Sequence, residues 1–403
     1  MQNTRPNEFI ALVALLTAMV AMSIDTMLPA LGVMATELGA ANPNDRQYII
    51  LGFFGGMMFG TLLFGPISDS VGRKPTIYVG LVFYVAGALL CMFSTSFPML
   101  IAGRLLQGFG AASPRIVSMA MVRDGAAGAE MARIMSFVMS VFMLVPILAP
   151  SIGQLVLYVA SWRYIFTGFV VAAALAVVWL KFRQAETLAP ENRLPFSARE
   201  LAHSAKQVIA NPVALGYTMA VGFIFGAFTA YLGTSQQIFA EQYQQGDKFA
   251  LWFGGMAIGI ALAMVFNGKT VRQIGMRIMT KRAIWGFVAC WTTMLLFTIA
   301  YDGHPPLPVL GFLFFCSFFC SGLLFGNYNA MALEPMGHIA GMASAISGAL
   351  SSLIAVSFGA LAGHFYNGTL YPISVAFLAF GLVAWFFAEW AERGRVRVLQ
   401  TAT

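Results

Sequence analysis

Twelve runs of about 19 to 25 mostly apolar residues, joined by short polar loops, take up most of this 403-residue chain. They lie at about 9–33, 48–68, 76–94, 98–121, 134–157, 162–182, 212–236, 249–267, 283–301, 307–331, 342–364 and 371–391. An α-helix rises 1.5 Å per residue, so about 20 residues cross the ~30 Å hydrocarbon layer of a bilayer. Within lipid the backbone must satisfy its own hydrogen bonds, which selects helices for such runs. Only 10% of the residues are charged, against about 25% in soluble chains. The expectation is an all-α integral membrane protein with twelve transmembrane helices. The first run is too long for a signal-peptide core and has no small-residue cleavage pattern, so it reads as a retained helix.

An even number of spans puts both termini on one side. If that side is the cytoplasm, its loops and tails hold eighteen of the 23 Lys and Arg residues, the bias that orients membrane proteins. Arg46, Arg163 and Lys248 then lie outside, and Arg104 and Arg115 lie within a span. The net charge of +7 is therefore a topology signal. It forms no basic face with interleaved aromatics, so no nucleic-acid partner is expected.

Other chemistry is poorly represented. Cys91, Cys290, Cys316 and Cys320 fall inside apolar runs, where thiols act as small hydrophobes. The four histidines are widely spaced near span ends, so neither a metal site nor a catalytic set is expected, and the chain does not read as an enzyme. "GKT" at 268–270 has Ala263 where a phosphate loop has its first glycine, and it follows a membrane helix rather than a strand.

The longest polar stretch, 183–211, reads as a cytoplasmic linker between two six-helix halves, 1–182 and 212–403. Its second part reads as an amphipathic helix on the membrane surface. The halves resemble each other: "GPISDSVGRKP" (65–75) and "GKTVRQIGMRI" (268–278) both carry glycines seven apart followed by a basic residue. They stand 203 residues apart, the sign of a parallel duplication. In the first copy, Gly65 is expected to let another helix approach closely, and Gly72 to form a turn that most residues would strain. Asp69 then ends a helix beside Arg73 and Lys74.

This stretch closely resembles the signature loop of the major facilitator superfamily of transporters, with Gly65, Asp69, Gly72, Arg73 and Lys74 all in place. "RLLQGFGAA" (104–112) is similar to the fourth-helix motif. "VPILAPSIG" (145–153), with Pro146, Pro150 and Gly153, looks like a shortened fifth-helix antiporter motif. "SWRYIF" (161–166), "EPMGHIAGMASA" (334–345) and Asp25 followed by "MLPAL" resemble the bicyclomycin and chloramphenicol resistance branch. The resemblance implies two pseudo-symmetric six-helix bundles around a central cavity and a drug:proton antiporter in a bacterial inner membrane. It also implies a monomer with no cofactor, driven by the proton gradient rather than ATP. For the loop it implies a cytoplasmic latch of Asp69, Arg73 and Asp124. The sequence departs from the family in the reduced glycine content of the fifth helix and in Arg272, which stands where the first copy has Asp69. Arg73 and Lys74 could instead serve topology alone.

Asp25 is costly in an apolar helix, at roughly 2.5–3.5 kcal/mol on insertion scales, so such residues face a partner or water. Counted from the helix ends, Asp25 and Arg104 share a depth near 10 Å below the outer surface. They read either as a proton-coupling pair or as a static buried ion pair. Arg115, three turns beyond Arg104 on nearly the same face, either binds an anionic group, pairs with an acid such as Glu334, or snorkels to the interface. Tyr231, Gln236, Asn327, Tyr328 and Asn329 are the candidates to line an apolar cavity for aromatic substrates. The reading that follows is proton-coupled efflux of small hydrophobic or aromatic compounds such as antibiotics. The alternatives are a dedicated carrier of one metabolite, as exporter or importer, and a receptor or scaffold that transports nothing.

Overall fold

The computed structural model describes residues 6–402, and these fold into α-helices joined by short turns and 3₁₀ segments. The first half contains α1 (Pro6–Asp25), α2 (Leu31–Glu37), α3 (Tyr48–Val71), α4 (Arg73–Met92), α5 (Phe97–Gly125), α6 (Gly128–Val159) and α7 (Arg163–Arg183). The second contains α8 (Ala198–Ala210), α9 (Pro212–Gln236), α10 (Phe249–Ile274), α11 (Met276–Ala300), α12 (Leu307–Leu333), α13 (Ala340–His364) and α14 (Tyr371–Ala402). Eleven of the twelve apolar runs coincide with single long helices, and α8 occupies the second part of the linker; the first run, 9–33, breaks after Asp25, where α1 gives way to a turn, a 3₁₀ segment (Leu28–Ala30) and α2. Ten stretches are long and apolar enough to cross a membrane. One of them, Leu307–His364, contains both α12 and α13. The twelfth helix, α5, which carries Arg104, Arg115, Arg123 and Asp124, is not among them.

Helix ends follow local chemistry. The Asn211 side chain accepts from the backbone N–H groups of Val213 and Ala214 at 3.0 Å and so starts α9, with Pro212 at the first helical position, where a missing N–H costs nothing. The α3/α4 and α10/α11 breaks each turn on a glycine at positive φ, Gly72 (118°) and Gly275 (84°), backbone states that other residues adopt only with strain.

The chain divides into two compact units, Met1–Ala198 and Arg199–Thr403. The linker is therefore shared: residues 184–194 lie on the first unit, while α8 belongs to the second. In the first unit α3 and α4 pack closely on α5 through glycines. A Cβ on Gly56 would lie 1.9 Å from Leu105 O, and one on Gly108 1.9 Å from Phe53 O. Apolar burial gives little driving force between helices in lipid, so close backbone packing of small residues replaces it. At the far end Trp162 Nε1 donates to Glu37 at 2.6 Å, and Arg163 pairs with the same carboxylate. In the second unit α9 is enclosed by α12, α13 and α14, and Thr229 Oγ1 donates to Ala355 O at 2.9 Å.

Candidate functional site

Two clusters in the first unit gather the charged residues singled out in the sequence. The first lies at the α3/α4 break. Arg73 is nearly buried; its Nη1 donates to Asp69 at 2.5 Å and to Ser68 Oγ at 2.8 Å. Its Nε and Nη2 donate to the two carboxylate oxygens of Asp124 at 2.8 and 3.2 Å. One guanidinium thus ties the end of α3, the start of α4 and the end of α5 with its rigid fork of donors.

The linker completes this cluster, a role that sequence reasoning missed. Glu186 accepts from the backbone N–H groups of Arg73 and Lys74, each at 3.0 Å. Its carboxylate therefore satisfies the first free donors of α4, where the helix dipole favours negative charge. Lys74 Nζ donates to Gln184 O, Thr187 Oγ1 to Asp124 at 3.1 Å, and the Leu194 N–H to Asp69 O at 3.0 Å. A Cβ on Gly72 would lie 2.9 Å from Glu186 Oε2, so that glycine is fixed by space as well as by φ. Gly65 differs from expectation: nothing lies within 4 Å of where its Cβ would be, and the close helix approach falls at Gly56 and Gly60 instead. Substituting Glu186→Gln keeps the shape but weakens the cap. We expect about 1 kcal/mol of destabilisation, read as a lower apparent melting midpoint in detergent and faster amide exchange in the first turn of α4.

The second unit builds a counterpart from different residues. After Gly275, Arg277 Nη2 donates to Glu334 at 2.6 Å and its Nε to Glu392 at 3.0 Å. Tyr217 OH also donates to Glu392, at 2.5 Å. Glu334 follows α12 as Asp124 ends α5, so the arginine-to-acid tie recurs, with Glu392 of α14 supplying the second carboxylate. Arg272, at the position of Asp69, takes no part in these bonds.

The second cluster lies at the C-terminal end of α1. Arg104 is fully buried, and its donors go to neutral acceptors: Ile49 O at 2.9 Å, Ser23 O at 3.0 Å and Gln107 Oε1 at 2.5 Å. The Phe53 ring lies 4.5 Å from its Cζ. Asp25, at 4% exposure, makes no hydrogen bond or ion pair among the described residues. The two residues do share a level, since Arg104 reaches Ser23, but the static ion pair is absent. Gly153 of α6 packs against the turn that follows: a Cβ there would lie 1.9 Å from Thr26 O. Pro146 and Pro150 stand inside the same helix.

The expected substrate-cavity residues fare unevenly. Tyr231 and Tyr328 are 1% exposed and Asn327 is 3% exposed. Tyr231 packs among Phe253, Phe314 and Phe318, with centroids 4.7–5.6 Å apart. Asn327 Nδ2 donates to Asn267 Oδ1 and Leu323 O, both at 2.8 Å, and Tyr328 packs on Tyr217. All three thus pack inside the second unit in this structure. Gln236 is half-buried and Asn329 exposed. Arg115 is exposed, and Glu334 is engaged by Arg277.

Comparison with known proteins points the same way. The family model described as "Major Facilitator Superfamily" matches residues 13–360. The chain is 28% identical over 355 residues to an uncharacterized MFS-type transporter, YdgK, of Bacillus subtilis, covering 87% of each chain. It is 28% identical over 366 residues to a bicyclomycin resistance protein homolog of Haemophilus influenzae, covering 91% of each. Among solved structures, the xylose transporter XylE from E. coli in a partially occluded inward-open conformation superposes with a TM-score of 0.71 at 12% identity. That match covers 96% of this chain and 98% of that one, and it shows the shared twelve-helix fold.

Proposed function

We propose that this chain, which belongs to the Major Facilitator Superfamily and is a multi-pass membrane transporter rather than an enzyme, exports small hydrophobic or aromatic compounds in exchange for protons. The relative named for bicyclomycin resistance, aligned over 91% of both chains, supports a drug-exporting role. The observation that carries proton coupling is Asp25, a carboxylate buried in a membrane helix without an ion-pair or hydrogen-bond partner among the described residues. An ionised carboxylate is expensive there and a protonated one far less so. A change in water access during alternating access would therefore load and unload its proton.

In this reading the Arg73 cluster is a cytoplasmic latch. Its bonds to Asp69 and Asp124 hold the inward face closed and break when the two halves rock apart. The excess of Lys and Arg on one side supports cytoplasmic termini, and the reading sets the protein in a bacterial inner membrane. The exporter works as a monomer, with no cofactor and no ATP.

The test is accumulation of phenicols, lipophilic dyes and fluoroquinolones by an efflux-deficient bacterium expressing the protein. Export predicts several-fold lower accumulation that an uncoupler reverses. Unchanged accumulation across the panel overturns the drug-export reading and leaves a dedicated metabolite carrier.

A further inference from the structure

Arg115 lies on α5, eighteen residues after Phe97 and ten before Gly125, which is about 27 Å and 15 Å from the helix ends. On its face of the helix the neighbouring positions Ala111, Ser118 and Val122 are buried at 0–1%. Arg115 itself is exposed, and that face is not the one where Leu105 stands 41% exposed. Its one contact of note is Nη1 to Met57 Sδ at 3.9 Å, which offers no countercharge.

Among the described residues no acid is paired with it. Of the sixteen Asp and Glu residues, Asp25 alone stands in the interior of a span. Asp25 shares the level of Arg104, about 16 Å along α5 from Arg115. Glu334, the other acid considered from the sequence, is held by Arg277 at 2.6 Å. Away from their ends, the spanning helices of the first unit thus carry two guanidinium groups, Arg104 with neutral acceptors only and Arg115 with no acid, against the single carboxylate of Asp25. An uncompensated guanidinium at this depth attracts an anion strongly, because low dielectric amplifies the interaction.

We propose that Arg115 anchors an acidic group on the transported molecule, so that the preferred substrates are amphipathic organic anions or zwitterions bearing one carboxylate. This rests on the transport reading above and narrows its substrate class. A planar guanidinium binds a carboxylate through two parallel N–H···O bonds, which selects the acid over a neutral amide of the same shape.

The probes are matched aromatic pairs, 2-naphthoate with 2-naphthamide and cinnamate with cinnamamide. Their binding to the purified full chain in neutral detergent is followed by tryptophan fluorescence quenching, with size-exclusion chromatography as a check on folding. For the wild type each acid is expected to bind about tenfold or more tighter than its amide, the worth of one good ion pair. Arg115→Gln should bring the ratio to within about twofold, while Arg115→Lys, which retains the charge, should keep most of it. Equal binding of acids and amides by the wild type, no binding of either acid, or an acid preference that survives in folded Arg115→Gln overturns the proposal. The wild-type ratio decides even if Arg115→Gln does not fold. Because binding is measured without a gradient, its failure beside intact uncoupler-sensitive export would remove only the anion assignment. Acid-selective binding without export would remove the export reading instead.

Discussion

Asp25→Asn is expected to abolish proton-driven transport, to the level of protein-free vesicles, while leaving the protein folded. Both halves of the result follow from geometry. The asparagine side chain has the size and shape of the carboxyl group, and Asp25 has no bond among the described residues for the substitution to break. An amide is also cheaper to hold in a low-dielectric interior than a carboxylate. The apparent melting midpoint should therefore be no lower than that of the wild type. The amide neither takes up nor releases a proton, however, so a pH difference across a vesicle membrane loses its grip on the transport cycle. Exchange of substrate for substrate, which needs no net proton movement, should persist in the variant. The measurement is uptake of a labelled substrate into inverted vesicles under an imposed pH gradient, beside equilibrium exchange without one. Gradient-driven uptake that survives in Asp25→Asn would remove this residue from the coupling step.

The sequence made Asp25 conspicuous but not its surroundings. A carboxylate in an apolar run stands out because every neighbour is apolar. Its missing ion pair could not be read, because depth along two antiparallel helices says nothing of their rotation. Arg104 has the right level and turns its guanidinium to backbone carbonyls. The spans were legible for the same reason as Asp25: hydropathy is written into each segment independently of the rest. Helix α5 was recognised from its length despite three arginines. That Tyr231, Asn327 and Tyr328 pack inside their own unit could not be read, because a membrane helix is apolar all round. The contrast that tells core from surface in a soluble helix is lost, and an aromatic face can turn to its own bundle as easily as to an opening. Glu186 left no signal because its partners are backbone N–H groups 112 and 113 residues away. Any acid in a polar linker looks the same until the chain is folded.

Gly153 shows how a motif recognised by likeness acquires a physical reason, and it carries the second large effect. A methyl group at this position would lie 1.9 Å from Thr26 O, whereas carbon and oxygen in close contact stay about 3.3 Å apart. The obstacle is backbone, so no side chain can rotate aside; α6 and the end of α1 must separate by more than an ångström. Gly153→Ala is therefore expected to lose about 3 kcal/mol or more, at the upper end of the cost of overpacking. The natural control is Gly168→Ala in α7, where nothing lies within 4 Å of the added carbon. Alanine favours helix over glycine by up to about 1 kcal/mol, so that variant should be as stable as the wild type or more so. Melting midpoints from size-exclusion chromatography of heated samples separate the two. Function should respond more sharply than stability. The displaced carbonyl belongs to the residue that follows Asp25, so any Gly153→Ala protein that survives should carry a shifted coupling carboxylate and transport poorly. If Gly153→Ala and Gly168→Ala melt together and transport alike, α6 yields at this contact. The fifth-helix glycine would then permit movement of α6 rather than fix its distance from α1.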